Sequence, residues 1–423
     1  MPLWITLFLL FFIMIILRVP ISVALGASSL ICLCIIHVPL TIIGQRMFTA
    51  IDSFGIMAVP FFVLGGNLMA AGGISRKLTE LSSALLGFIR GGIAMGGVLA
   101  CGFFASLSGS SPATVISIGS MLYPDMVKMG YPEDDTAGLF SVAGGLGPLI
   151  PPSIIMVVYG TITNTSIGDL FIAGAGIGII STAALMLTVY IIARKKKWPR
   201  QAEKIDFKKL KHAFLDAILA IIMPVIVLGG IYGGIFTPTE AGCVSAVYAF
   251  LVGVFVYKNI KMKDIPDIIR RSAIGSATVL FIMATSSVFA WLFAYAGFTK
   301  MIVAGVAALH LNTIMFLIVM TIVFLIFGTF MEGIAIMTLL MPIFQPIAAT
   351  FAVDPIQLGM IVSFSIVLGC ITPPVAVNIY AAAMVSKLRV ERIIKGQTPY
   401  FLVMVGILLL VVLIPQLSTF LIR

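Results

Sequence analysis

Hydrophobic residues in this chain come in long unbroken runs rather than at alternating positions. Residues 4–17, 166–193, 214–231, 241–256, 313–327 and 400–414 form runs of helix length with almost no charge. Strands of a membrane barrel would alternate over ~10 residues, so these runs predict helices. About 20 apolar residues make one helical span of a bilayer, whereas roughly 10–14 suit a re-entrant segment.

Polar and small residues interrupt the pattern in the same order twice, once on each side of the basic segment 194–212. In the first half, apolar 91–105 meets a serine-rich tip at 106–112. Apolar 113–121, a charged turn, helix 137–147, a Pro-Pro break at 148–153 and helix 154–163 follow. In the second half, an apolar arm ends at the tip 328–333. Apolar 334–347, the turn Asp354-Pro355, helix 357–368, a Pro-Pro break at 369–374 and helix 375–384 follow. The arms beside the tips are short for full spans. Residues 91–123 and 313–345 therefore read as re-entrant hairpins, and 137–163 and 357–384 as helices broken in mid-membrane. The fold class expected is an all-α polytopic membrane protein, an inverted-repeat transporter with two such hairpins and two broken helices. Residues 1–90 would supply N-terminal scaffold and arm helices, 91–193 the first transport repeat, and 194–212 a cytoplasmic basic loop. Residues 213–312 would supply second scaffold and arm helices, 313–398 the second repeat, and 399–423 a C-terminal transmembrane helix.

Composition places the chain in lipid. Hydrophobic residues make up 61% and charged residues only 10%, against roughly 25% charged in soluble domains. The net charge of +10 is concentrated at 194–211, 258–271 and 387–395. Short basic loops stay cytoplasmic, so the charge reports topology rather than a nucleic-acid partner. With those loops inside, the first hairpin enters from the cytoplasm and the second from the opposite face. Residues 2–17 read as a first span rather than a removable signal, because no basic n-region or cleavage site accompanies them. Residues 18–20 mark a turn or a kink. The five cysteines fall in apolar segments and read as small core residues. Trp198 and Trp291 read as anchors at headgroup level. His37, His212 and His310 are scattered, which predicts no metal site other than sodium and no proton relay.

Candidate chemistry follows from the breaks. Irregular backbone at membrane depth is tolerated only where protein buries it or it lines a cavity. Hard cations take oxygen ligands, and helix C-terminal ends favour cations while N-terminal ends favour anions. A first sodium site is expected from Ser106, Ser108, Gly109 and Ser111 at one tip, facing Gly145, Gly147, Pro148 and Ile150. A second is expected from Gly328, Thr329 and Glu332, facing Gly369, Cys370 and Thr372. An anionic substrate would lie between the tips, near Ser110, Thr114, Pro152, Ser153, Glu332, Pro374 and Asn378. Glu332 is the sharpest single residue, because an ionisable group inside an apolar span is a functional hypothesis by default. Plain helix packing by small residues is the competing reading of each serine and glycine taken singly.

The stretch Gly234-Ile235-Phe236-Thr237-Pro238-Thr239-Glu240-Ala241-Gly242 resembles a signature of the large membrane subunit of tripartite ATP-independent periplasmic (TRAP) transporters. Ala58-Val59-Pro60-Phe61-Phe62 with Gly72-Gly73, residues 106–113, Ile150-Pro151-Pro152-Ser153, Asp354-Pro355 and Thr372-Pro373-Pro374 agree with that family. The resemblance covers essentially the whole chain. It implies an elevator-type fold similar to divalent-anion/sodium symporters and uptake of a small organic anion. It also implies two or more coupling Na⁺ ions without ATP, in a multi-pass protein of the bacterial inner membrane. The implied partners are a separate small four-helix membrane subunit and a periplasmic substrate-binding protein. The family often carries Asp where this chain has Glu332. A self-sufficient Na⁺/dicarboxylate symporter is the alternative within transport. A membrane enzyme would need converging nucleophile, base or metal ligands, which the sparse acids and histidines do not offer. A purely structural scaffold would leave the paired breaks without a purpose.

Overall fold

The computed structural model describes residues 2–200, 206–308, 311–373 and 376–422, and their side chains except at 106–108, 299–300 and 306–308. Among the described residues the regular structure is helical, with no strand. The chain opens with α1 (Leu3–Ile16), α2 (Ile21–Ile35) and α3 (Thr41–Ile51). Arg18 adopts a left-handed backbone (φ 62°) and Pro20 follows, so residues 17–20 form a turn. With 14 residues, α1 rises only about 21 Å, short of the ~30 Å hydrocarbon core. The first span expected at 2–17 is thus a shorter element.

The helices α4 (Ala58–Ala71) and α5 (Ile74–Leu86) meet at a 64° bend. Gly73 makes that corner with φ +74°, and a Cβ there would fall 2.5 Å from Asn259 Nδ2. The segment expected as the first repeat comprises α6 (Gly92–Ser108), α7 (Ser111–Lys128), α8 (Glu133–Ala143), a 3-10 turn (Gly144–Leu146), α9 (Ile154–Thr163) and α10 (Ile167–Lys195). Then come α11 (Phe207–Tyr232), α12 (Pro238–Leu251) with a π-helical extension Val252–Val256, α13 (Ile265–Tyr295) and α14 (Phe298–Ala308). The second repeat comprises α15 (Thr313–Gly328), α16 (Gly333–Thr350), α17 (Pro355–Cys370) and α18 (Val377–Ser386). The chain closes with α19 (Val390–Leu413) and α20 (Gln416–Thr419).

Local chemistry explains where these helices start. Thr237 and Glu240 form a reciprocal capping box at the start of α12, with Pro238 in its first turn. Asp354 accepts from the amides of Ile356 and Gln357 and caps α17, whose first residue is Pro355. The expected turn before residue 137 is already helix: Pro132 precedes α8, and Glu133, Asp134 and Asp135 fill its first turn, where the helix dipole favours acids. Both α7 and α16 run beyond their expected ends, through Pro124 and through Pro342 and Pro346. A proline removes one intrahelical bond, and neighbouring helices absorb the defect.

Among the described residues, α10, α11, extended α12, α13, α16 and α19 are long and apolar enough to cross a bilayer, and the bent α4–α5 pair would make a seventh span. The protein is a multi-pass integral membrane protein. Helix α12 lies along α4, and α13 packs against α2, α3 and α4, forming a frame. Beside it, α18 crosses from the second repeat onto α7 and α8, and α9 crosses from the first onto α16. Helix α19 lies so close to α8 that a Cβ on Gly396 would fall 1.9 Å from Asp134 O.

Two surface expectations are corrected. Trp198 is 2% exposed with its ring 5.2 Å from that of Tyr131, so it packs inside protein rather than anchoring at headgroups. Cys34 and Cys243 face outward, while Cys32, Cys101 and Cys370 are buried.

Candidate functional site

Each tip packs backbone-to-backbone on the break of its own repeat. Helix α6 continues through Ser108 and ends at Gly109 (φ +58°), whose amide donates to Ala105 O at 3.0 Å. The first tip is therefore Gly109–Ser110, shorter than the serine-rich stretch suggests. The side chains of Ser106 and Ser108 lie outside the described residues. A Cβ on Gly109 would come 3.3 Å from Pro152 O, and one on Gly147 would come 3.0 Å from Ser110 O. Gly145 faces Val367 of α17, and the amide of Ile150 donates to Leu146 O. At the second tip, a Cβ on Gly328 would meet Gly369 Cα at 2.8 Å. The Ala376 amide donates across the gap to Thr329 O at 3.2 Å. Pro374 lies outside the described residues.

Four hydroxyls at these places are spent in one way. Ser153 Oγ donates to Pro148 O (2.6 Å), Thr114 Oγ1 to Ser110 O (2.8 Å), Thr329 Oγ1 to Ile326 O (2.8 Å) and Thr372 Oγ1 to Leu368 O (2.6 Å). A hydroxyl that has given its one proton to a carbonyl retains lone pairs for a cation. Ser111 is 3% exposed, and its Oγ accepts from Nδ2 of the fully buried Asn378 at 2.6 Å. Nδ2 also donates to Ser141 O at 3.0 Å. A carbonyl can only accept, so this contact fixes which way the amide points. Among the described residues Asn378 Oδ1 is then left buried without a hydrogen-bond partner. Such an orphan costs about 1–3 kcal/mol, and a bound cation would remove the cost. The donor set at the first tip is oxygen throughout and fits Na⁺.

A link that the sequence did not reveal is Gln397 on α19. It is 3% exposed; its Oε1 accepts from Ser141 Oγ at 3.1 Å and its Nε2 donates to Ile371 O at 2.8 Å. The series Ser111–Asn378–Ser141–Gln397–Ile371 thus joins the first tip to the second break. Its only signal in the sequence is an uncharged polar residue inside an apolar helix.

Both tips open onto one cavity of 620 Å³, within the ~300–1,000 Å³ range of small-molecule sites. Its wall includes the N-termini of α7 (Ser110, Ser111), α9 (Ile154), α16 (Glu332, Gly333) and α18 (Val377). Among the described residues none of these four termini has a side-chain cap, and the first turn of a helix carries the positive end of its dipole. Glu332 is open to the cavity, although protein surrounds it on most other sides. Among the described residues no hydrogen bond or ion pair engages its carboxylate. Pro148 and Cys370 also contribute to the wall. Thr114, Pro152, Ser153 and Asn378 are buried behind it rather than lining it. The wall also includes residues of the frame, with Asn67 on α4 and Arg271 on α13. Arg271 had registered in the sequence only as part of a basic loop. Among the described residues no group of three or more His, Cys, Asp or Glu could hold a metal ion.

Comparison with known proteins agrees with this architecture. Residues 8–417 match the family described as "Tripartite ATP-independent periplasmic transporter, DctM component". The chain is 38% identical over 414 residues to the C4-dicarboxylate TRAP transporter large permease protein DctM of Rhodobacter capsulatus, covering 94% of each. It is also 38% identical to the isethionate TRAP transporter permease protein DctMQ of Oleidesulfovibrio alaskensis, over 95% of this chain and 64% of that relative. In fold it is similar to the Alcanivorax borkumensis YdaH transporter, with TM-score 0.62 at 14% identity and 88% of each chain covered. An all-helical membrane fold, two helix junctions on one cavity and a match along nearly the whole sequence lead to one assignment: this chain belongs to the DctM family, the large permease component of TRAP transporters.

Proposed function

We propose that this permease imports a small organic acid by Na⁺ symport, holding the anion in the 620 Å³ cavity between its two tips. The observation that carries the reading is the convergence of four uncapped helix N-termini, two from each repeat, on that cavity. Each such terminus stabilises an anion by roughly 0.3–2 kcal/mol. Four acting together favour a carboxylate over a neutral solute. The first Na⁺ would be held by Ser111, Asn378 Oδ1 and main-chain oxygens around Gly145–Ile150. The second would be held near Thr329, Thr372 and the facing Gly328 and Gly369. Glu332 would either ligate a cation or receive a hydrogen bond from a hydroxyl of the cargo.

In this reading 91–123 and 313–345 are re-entrant hairpins, and the two repeats move as an elevator against the frame. A separate small four-helix membrane subunit would complete the membrane unit, and a periplasmic binding protein would deliver the cargo. Two relatives at equal identity carry names with different cargoes, so identity alone does not name the acid.

The test is uptake of labelled C4-dicarboxylates, sugar acids and keto acids into proteoliposomes under a Na⁺ gradient. Liposomes would hold either this chain alone or the chain with its small subunit and binding protein. Uptake is expected only with the full set and with Na⁺, not K⁺. Accumulation by the chain alone would favour the self-sufficient symporter instead.

A further inference from the structure

We infer that Arg271 is the frame's recognition group for the cargo's oxyanion, a carboxylate or a sulfonate. The inference rests on the transport reading above and adds to it a residue from outside both repeats.

Helix α13 presents Arg271, Gly275 and Val279 to the cavity at intervals of four residues, so one stripe of the helix forms that wall. Gly275 leaves a lane along the stripe: a Cβ there would meet only Val63 Cγ1, at 3.4 Å. Asn67 Nδ2 donates to Ser272 Oγ at 2.9 Å and pins α4 to α13 beside Arg271. The guanidinium is oriented from its own helix, with Nε 2.7 Å from Asp267 Oδ2. Arg270 Nη2 holds the other oxygen of Asp267 at 2.9 Å. One carboxylate between two guanidiniums leaves one positive charge over.

A guanidinium has five N–H donors, so Nε can be fixed by Asp267 while the terminal nitrogens present a fork to a second oxyanion. Bidentate pairing of that kind is the geometry by which Arg selects carboxylates and sulfonate-like groups over neutral solutes. Among the described residues, Arg271 and Glu332 are the only charged side chains on the cavity wall. They stand on different elements, α13 and the start of α16, and carry opposite signs. An anion is drawn to Arg271 and turned away from Glu332, which fixes the end-to-end orientation of an asymmetric cargo.

The experiment measures thermal stabilisation of the purified full chain in Na⁺ by succinate, isethionate and gluconate, with erythritol as the neutral control. Arg271→Gln is expected to raise the half-saturating concentration of the stabilising anion at least tenfold. Arg271→Lys, which keeps the charge and loses the fork, should fall between Arg271→Gln and wild type. Lys263→Gln removes a basic charge of the same segment that is absent from the cavity wall and from the Asp267 pairings, and should bind as wild type does. Wild-type half-saturation in Arg271→Gln would overturn the inference, as would an equal loss in Lys263→Gln, which would assign the effect to general charge. A wild-type chain that responds to none of the three anions would instead sink the transport reading on which the inference depends.

Discussion

Ser111 and Asn378 are 267 positions apart in sequence and 2.6 Å apart in space, and that one contact brings the two repeats together at the first tip. Ser111→Ala should raise the Na⁺ half-saturation for uptake at least tenfold, about 1.4 kcal/mol. It should cost about 1 kcal/mol of stability, since Asn378 keeps its bond to Ser141. An unchanged Na⁺ dependence would remove this hydroxyl from the coupling machinery. Glu332→Gln keeps the shape and loses the charge. No hydrogen bond or ion pair of the described residues is broken, so folding should be unaffected while Na⁺-driven uptake falls. Gln397→Leu should be the more damaging for stability, by about 1–3 kcal/mol in a chemical-denaturation series, because it strands the carbonyl of Ile371 and the hydroxyl of Ser141. The sequence singled out Ser111, Glu332 and Asn378 by residue type and by nearness to a break. It gave no reason to choose Gln397, whose partners lie on distant segments, or Arg271, whose place on the cavity wall depends on how α13 meets its neighbours.

At the scale of elements, the close approach of α15 to α17 rests on two glycines with no room for a side chain. A Cβ on Gly369 would fall 2.4 Å from Gly328 Cα. Gly369→Ala must therefore push the second tip off its break, at a cost of about 1–3 kcal/mol. Melting of the purified variant would read the stability loss, and Na⁺-dependent uptake should fall further than stability does. A variant as active as wild type would show that the second tip needs no close seat. Most element identities were legible in advance, because prolines, glycines and caps act within a few residues of where they stand. The ends were less so. Helix α6 absorbs the serines up to 108, and α8 starts four residues earlier than residue 137. Serine is compatible with a helix end, and acids are favoured in a first turn, so polarity alone misplaced both boundaries.

For the whole molecule, cation binding should appear as stability. If both sites fill only in the folded protein, Na⁺ at a hundredfold above its dissociation constant adds about 2.7 kcal/mol per site. Melting of the chain should then rise with Na⁺ and not with K⁺ at equal ionic strength, and the rise should shrink in Ser111→Ala and Gly369→Ala. Equal melting in both salts would argue against cation sites at the tips. Composition and local motifs were enough to read the solvent, the helical class and the family. All of these are written locally along the chain. It took the folded chain to show that four helix N-termini share one cavity, that Asn378 and Gln397 tie distant segments together, and that Arg271 lines the same cavity. Those facts depend on segments hundreds of residues apart meeting in one register, and a linear pattern carries no information about which faces meet.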